Sequence, residues 1–451
     1  MMNLSRRNFG LMGGVALSAL ASVGVASANT AFTAFAFPAT GGITSRTEPD
    51  RWADQHNVLD FGADPTGISD STSAIQAAVN WTANAQRGTI YFPPGFYTVT
   101  GSISLYFGSG TNQSIVLRGD GASSIISGTV AGYILDRYDP AWDNPSGVIV
   151  IEKLLIQNGS TTEATGAIRL GNCNGAVVRD CSIGGMNGVV LNQAEDNSTF
   201  LSNNTLISNC TFPAPGTRLT NSNAVVTGNG TTIINMDASN WDCAIRVCGS
   251  GNSIVSGRFE ENNYGHIYGV DQFGNAVPAQ GCAAGGFSME SNRITFIDFI
   301  NASECYLYET GGGSFNGSSY GLRLRSGVSN IVLVSCNFSG GYDVAAISIE
   351  DSTGTPGRGN TFIGCTATNL LGTVWTMPTK ALTAKFINST NPVPIFTFAN
   401  LPGSSDRVFG DEYIISDSDV AVSAANFSAT VAGSGAITAN VRWNESNWVI
   451  C

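Results

Sequence analysis

A short pattern recurs along the middle of this chain and leaves few folds open to it. An apolar residue is followed three positions later by a small, sulfur-bearing or apolar one, and two positions after that by another apolar one. The central slot holds Leu154, Cys181, Cys210, Met236, Gly257, Phe299, Cys336 and Cys365, at spacings of 27, 29, 26, 21, 42, 37 and 29 residues. A period in the twenties with two longer turns describes an all-β solenoid carrying inserted loops. Parallel strands joined by crossovers wind right-handed. Composition agrees: 54 glycines suit tight turns, and 12% charged residues is too few for the exposed faces of a coiled coil or helical array.

The slot just before it reads Asp180, Asn209, Asn235, Ser256, Asp298, Ser335 and Gly364. Asn and Asp tolerate bend geometry and bond to backbone, so this is a polar ladder at a corner, with Asp180 and Asp298 in structural roles. Cys181, Cys210, Cys336 and Cys365 share the inward slot and read as a reduced stack of small hydrophobes. Cys243 and Cys248 are candidates for pairing in an oxidising compartment, a question that sequence spacing leaves open.

Four segments follow. Residues 1–28 read as a twin-arginine export signal: Arg6-Arg7, an apolar run from Leu11 to Val25, and the small-residue sequence Ala26-Ser27-Ala28. Cleavage there leaves a secreted or periplasmic chain of charge −14, with no membrane association after processing. Residues 29–50 form a linker, 51–392 the solenoid trunk, and 393–451 a small β cap in which Val441 to Ile450 is hairpin-like around Asn444–Asn447. Trp443 and Trp448 are assigned to covering the open solenoid end rather than to stacking on sugars.

At the start of the trunk, Val58 to Ala63 reads as a strand entering a turn at Asp64-Pro65-Thr66-Gly67. A capping helix follows, opened by Asp70 or Ser71, with Ala74, Ile75, Ala78 and Val79 inward, and Gln76 and Asn80 on its polar side; it ends before Gly88. Then come Gly88 to Val99, a strand, Pro-Gly turn and strand, and Ser114 to Ala122. In this order the three blocks resemble the N-terminal segment of the pectate-lyase superfamily of right-handed parallel β-helix proteins, which includes polygalacturonase-related enzymes and tailspike-like depolymerases. The resemblance covers about residues 56–125. It implies the fold, a polysaccharide or oligosaccharide substrate, and room for a homotrimer. Polygalacturonases carry Asn-x-Asp, Asp-Asp and Gly-His-Gly motifs; this chain has no Asp-Asp pair, and Gly265-His266-Ile267 echoes the last only in part.

A net charge of −12 leaves no electrostatic footprint for nucleic acid or an anionic membrane. With two histidines, His56 and His266, and no Cys-x-x-Cys pair, neither a metal site nor a cofactor is expected. The acidity favours neutral or weakly charged glycans over polyuronates.

Reactive groups concentrate between Gly257 and Phe299, read as the widest insertion. If Met236 and Gly257 share the inward slot, Asp237 and Arg258 point outward on adjacent coils, and Glu260 points outward two residues on. The Asp237 and Glu260 carboxylates then lie roughly 8 Å apart, within the about 6.5–9.5 Å of an inverting glycosidase. A plain Asp237–Arg258 surface ion pair is the competing reading. Glu261 and Asp242 are the fallback catalytic carboxylates. Tyr264, His266 and Tyr268 alternate and would present three side chains on one strand face, suited to a base beside a uronate carboxylate that Arg258 or Arg246 neutralises; Arg293 completes the candidate substrate-binding set. The favoured function is a glycoside-hydrolase-type enzyme using a carboxylate pair. The alternatives are a lyase or epimerase acting on uronates, and a non-catalytic glycan-binding scaffold.

Overall fold

One backbone device, repeated coil after coil, turns this chain into a solenoid. Asp180, Asn209, Asn235 and Ser256 adopt left-handed φ values of 54°, 52°, 53° and 61°, and the same corner is continued by Gly286, Glu309, Ser335 and Gly364. A single left-handed residue between two extended segments swings the strand direction without a loop, and Asn and Asp are among the few side chains that accept it. The ladder is stitched by Asn209 Nδ2 donating to Asp180 Oδ1 (3.2 Å), Asn235 Nδ2 to Asn209 Oδ1 (3.0 Å) and Asn235 N to Ser256 Oγ (3.1 Å).

The computed structural model describes residues 54–350 apart from 86–87, 107–113, 139–147, 192–201, 214–217 and 326; beyond that stretch it describes 36–38, 44–47, 360–369, 373–376, 385–387, 389, 395–396, 412–418, 437–443 and 448–450. The trunk is a right-handed parallel β-helix whose coils form three parallel faces. The first face runs through Thr89–Phe92, Ile115–Gly119, Ile149–Glu152, Val177–Arg179 and Leu206–Ser208. The second runs through Gly95–Val99, Ser124–Gly128, Leu155–Asn158, Ser182–Gly184 and Thr211–Pro213. Strands Thr232–Ser239, Ser253–Glu260 and Ala283–Glu290 cross the left-handed corner and serve both faces. The third face runs from Tyr133–Arg137 through Gly166–Leu170, Asn187–Val190, Asn223–Val226, Cys243–Val247 and Tyr264–Tyr268 to Thr295–Phe299.

In-register stacking builds the core. On the third face Ile168, Val189, Val225, Ile245, His266, Ile297, Leu322 and Ile347 follow one another coil to coil, and all are fully buried. Leu154, Cys181, Cys210, Met236, Cys336 and Cys365 are buried in the expected inward slot, but Phe299 is not its member. Gly257 pairs with Phe287, and Ser288 pairs with Gly311, so Phe287 and Thr310 fill the slot at spacings of 30, 23 and 26 residues before Cys336. Gly286 and Glu309 replace Asp298 in the corner ladder. The stretch from 257 to 299 is therefore one full coil and part of the next, with its only excursion at residues 269–278, after which Ala279–Gln280 stacks on Gly249–Ser250. Asp271 organises that excursion, accepting from the backbone of Phe273 and Asn275 at 2.9 and 2.8 Å.

The helix spans Thr72–Ala85. Asp70 Oδ1 accepts the Thr72 N–H at 3.0 Å, and Gln76 bonds Asn80 at 2.9 Å on the polar side. Val58–Phe61 is a 3-10 turn rather than a strand: Asn57 Oδ1 accepts the Leu59 N–H, and Gly62, at φ 90°, closes the turn. Among the described residues nine cysteines, of the chain's ten, are free and buried. Cys243 and Cys248 stand five residues apart along an extended segment, about 16 Å, far beyond the roughly 4.4–6.8 Å between Cα atoms that a disulfide needs. Within the stretch read as a linker, Ala36–Pro38 pairs antiparallel with Ser45–Thr47. Near the C-terminus Ile437–Trp443 pairs antiparallel with Trp448–Ile450, Trp443 opposite Trp448, and with Glu412–Ser418. Residues 1–28, read from the sequence as an export signal, lie outside the described residues; no described helix is long and apolar enough to cross a membrane.

Candidate active site

On the second face, past the left-handed corner, strict alternation sends Ala238 and Phe259 into the core and Asp237, Arg258 and Glu260 outward. Register fixes their neighbours: Asp237 lies beside Arg258 and then Ser288, while Ser239 lies beside Glu260 and then Glu290. Arg258 Nη2 bonds Asp237 Oδ2 at 3.0 Å, and its Nη1 stands 3.5 Å from Glu260 Oε1. One guanidinium therefore spans both carboxylates. That places them no further apart than the about 9.5 Å an inverting acid and base allow. The hydrogen bond that Arg258 donates to Asp237, with the charges of Asp237 and Glu260, raises the Arg258 pKa. Arg258 and Asp237 are 56% and 40% exposed, so this cation is open to a ligand and its ion pairs are screened by water.

The fallback carboxylates belong to the next corner. Asp242 is buried, and its oxygens accept from Asn221 N at 3.1 Å and Asn263 Nδ2 at 2.6 Å. Both its oxygens thus help to tie its own coil to the coils on either side. Glu261 occupies a left-handed corner position at φ 54° and donates its backbone N–H to Glu290 O at 3.0 Å. It stands beside Asn240 in the ladder, so Asp242 and Glu261 do not face each other. Arg293 is exposed on the same corner, where its N–H donates to Asn262 O at 2.7 Å. Arg218, which the sequence reading missed, reaches this corner from a loop: Nη1 donates to Asn263 Oδ1 and Nη2 to Asn240 Oδ1, both at 3.3 Å, and Nη2 also meets the Glu261 carbonyl. No sequence spacing marks it.

Tyr264, His266 and Tyr268 do share one strand face, but that face is the interior. His266 is fully buried, its ring 4.8 Å from Phe259 and 4.7 Å from Phe287, and neither ring nitrogen has a hydrogen-bond partner. Burial drives its pKa down to about 3. The Tyr268 ring stacks on Phe299 at 4.3 Å, and burial pushes its phenol far up. Neither residue can touch a polysaccharide. Tyr264, at the strand's start, is half-buried, and burial, followed by the charges of Asp298 and Asp242, raises its pKa. Asp298 is fully buried in a two-toothed pair with Arg325, at 3.0 and 2.7 Å. Arg246 is also buried and is held by the Asn223 side chain. Among the described residues no group of three or more His, Cys, Asp or Glu is arranged to hold a metal ion.

The solenoid and this arrangement can now be set beside known proteins. The family model described as rhamnogalacturonase A/epimerase, pectate lyase-like, matches residues 55–296, more than half of the chain. The chain belongs to this family. Mannuronan C5-epimerase AlgE6 of Azotobacter vinelandii is 38% identical over 87 residues, covering 17% of this chain and 10% of that protein. Alginate lyase 7 of the same organism is 33% identical over 88 residues, 17% of this chain and 10% of that protein. The chain thus spans about a tenth of the length of these curated relatives. The tailspike protein of E. coli bacteriophage HK620 in complex with a pentasaccharide superposes with a TM-score of 0.58 at 13% identity, over 80% of this chain and 70% of that one. At that identity the likeness speaks for the family's fold alone.

Proposed function

We propose that this family member is a carbohydrate-active enzyme that acts on uronate-containing glycans by removing the proton beside the sugar carboxylate. The observation that carries this reading is Arg258, an exposed cation spanning two carboxylates on an open strand face. A uronate carboxylate arriving at Arg258 is neutralised, which acidifies the adjacent C–H. Glu260, the more loosely held carboxylate, takes that proton as general base, and the C–H electron pair passes into an enediolate. Asp237 keeps the guanidinium in place. In elimination the pair forms a C=C bond and the bridging oxygen leaves with a proton; in epimerisation a proton returns to the opposite face. The relatives named for mannuronan epimerisation and alginate cleavage support uronates as the substrate class, against the neutral glycans that overall charge alone favours.

Hydrolysis by the Asp237 and Glu260 pair is the second reading, favoured by the single guanidinium that bounds their separation. We also propose export through the segment 1–28, and a trunk over 51–392 followed by a β cap over 393–451. The deciding experiment incubates the protein with oligomannuronate and a panel of other glycans in D2O. Absorbance at roughly 235 nm reports elimination, deuterium beside the carboxylate reports epimerisation, and new reducing ends alone report hydrolysis. Absence of all three overturns the enzyme assignment.

A further inference from the structure

We infer that Arg218 and Arg293 form a second carboxylate-binding subsite, which holds another uronate of the glycan engaged at Arg258. This inference rests on the uronate reading above. Arg218 is anchored only by neutral oxygens, those of Asn240, Asn263 and the Glu261 carbonyl. Its Nε–H is buried and has no acceptor. Among the described residues neither arginine has a carboxylate within ion-pair distance: the charges of Glu261 and Asp242 reach Arg218 only from further off, and Asp242 accepts from Asn221 and Asn263.

The two cations also sense each other. Burial, and after it the charge of Arg293, lowers the Arg218 pKa. The charges of Glu261 and Asp242 offset this only in part, so a partly buried guanidinium with an idle donor beside a second positive charge is further stabilised when an anion arrives. The planar fork suits a carboxylate, which can accept two N–H bonds at once. Placement ties this subsite to the proposed centre. The Glu261 carbonyl that holds Arg218 is three residues along the strand from Arg258, about 10 Å, and Glu260 lies between them. A polyuronate crossing the face from Arg258 over Glu260 would bring a further carboxylate to the corner.

The test uses the full chain, with oligomannuronate and its carboxyl-reduced counterpart as probes. Arg293→Gln, at an exposed position, and Arg218→Gln should each weaken oligomannuronate binding by calorimetry at least about tenfold at low salt. The KM should rise while kcat stays within about threefold, the mark of binding shared by ground and transition states. Affinity for the carboxyl-reduced oligomer should not change. Arg218→Lys should recover only part of the loss, because a point charge lacks the fork. If both Gln variants bind oligomannuronate as the parent does, while Asp237 and Glu260 variants lose turnover, the subsite alone is wrong. If the unmodified protein neither binds nor converts oligomannuronate, the uronate reading falls and the subsite with it.

Discussion

His266 offers a quantitative check on the register of the whole third face. Its imidazole is fully buried between Phe259 and Phe287, and burial depresses its pKa to about 3, against about 6.5 in an unfolded chain. Between these values the unfolded state binds the proton and the folded state does not. The acid-side penalty is therefore absent above pH 6.5 and grows as pH falls toward 3. Integrating this linkage from pH 7.5 to pH 5.0 gives a loss of about 2 kcal/mol attributable to this one ring. His266→Phe keeps the edge-to-face ring contacts and removes two buried nitrogens without partners, each costing about 1–3 kcal/mol, against an overpacking cost of about 1–3 kcal/mol. The relief, about 2–6 kcal/mol for the two nitrogens, is the larger figure, so at pH 7.5 the variant should be at least as stable as the parent. Urea denaturation followed by tryptophan fluorescence should show the parent losing about 2 kcal/mol more than the variant on going from pH 7.5 to 5.0. Every other ionisable group is common to both proteins and cancels from the difference. Equal losses in the two proteins would refute the buried, neutral imidazole.

The remaining predictions address the site, the coils, the thiols and export. Asp237→Asn and Glu260→Gln should each lower turnover at least about a hundredfold while shifting stability by no more than about 0.5 kcal/mol; full activity in both would move the chemistry to another face. Gly128→Ala would place a methyl carbon 1.8 Å from the Val99 carbonyl oxygen on the preceding coil, and should destabilise the trunk by about 1–3 kcal/mol or more, read as a lowered denaturation midpoint. The nine described cysteines are all buried, so a thiol reagent should label none of them in the folded protein and all of them in urea. A reporter fused to residues 1–28 should cross the membrane, and changing Arg6 and Arg7 to Lys should stop it.

Sequence alone determined the solenoid, because each coil must supply one inward residue after a corner that few side chains tolerate. Leu154, Cys181, Cys210 and Met236, each preceded by a left-handed residue, made that repeat legible. It also brought Asp237, Arg258 and Glu260 together, since only 21 residues separate Met236 from Gly257 and no loop disturbs the register. Gly257 was placed correctly, but beyond it the pattern failed. The corners before Phe287 and Thr310 are held by Gly286 and Glu309 rather than by the Asn, Asp or Ser of most other coils, and Thr310 is polar, so neither residue advertises an inward slot. Alternation told that Tyr264, His266 and Tyr268 share a face, but only the corners on either side decide which face is interior. Arg218 was beyond reach of any periodic argument. Its partners Asn240, Glu261 and Asn263 lie 22 to 45 residues away in sequence, and only coiling brings their oxygens to one guanidinium.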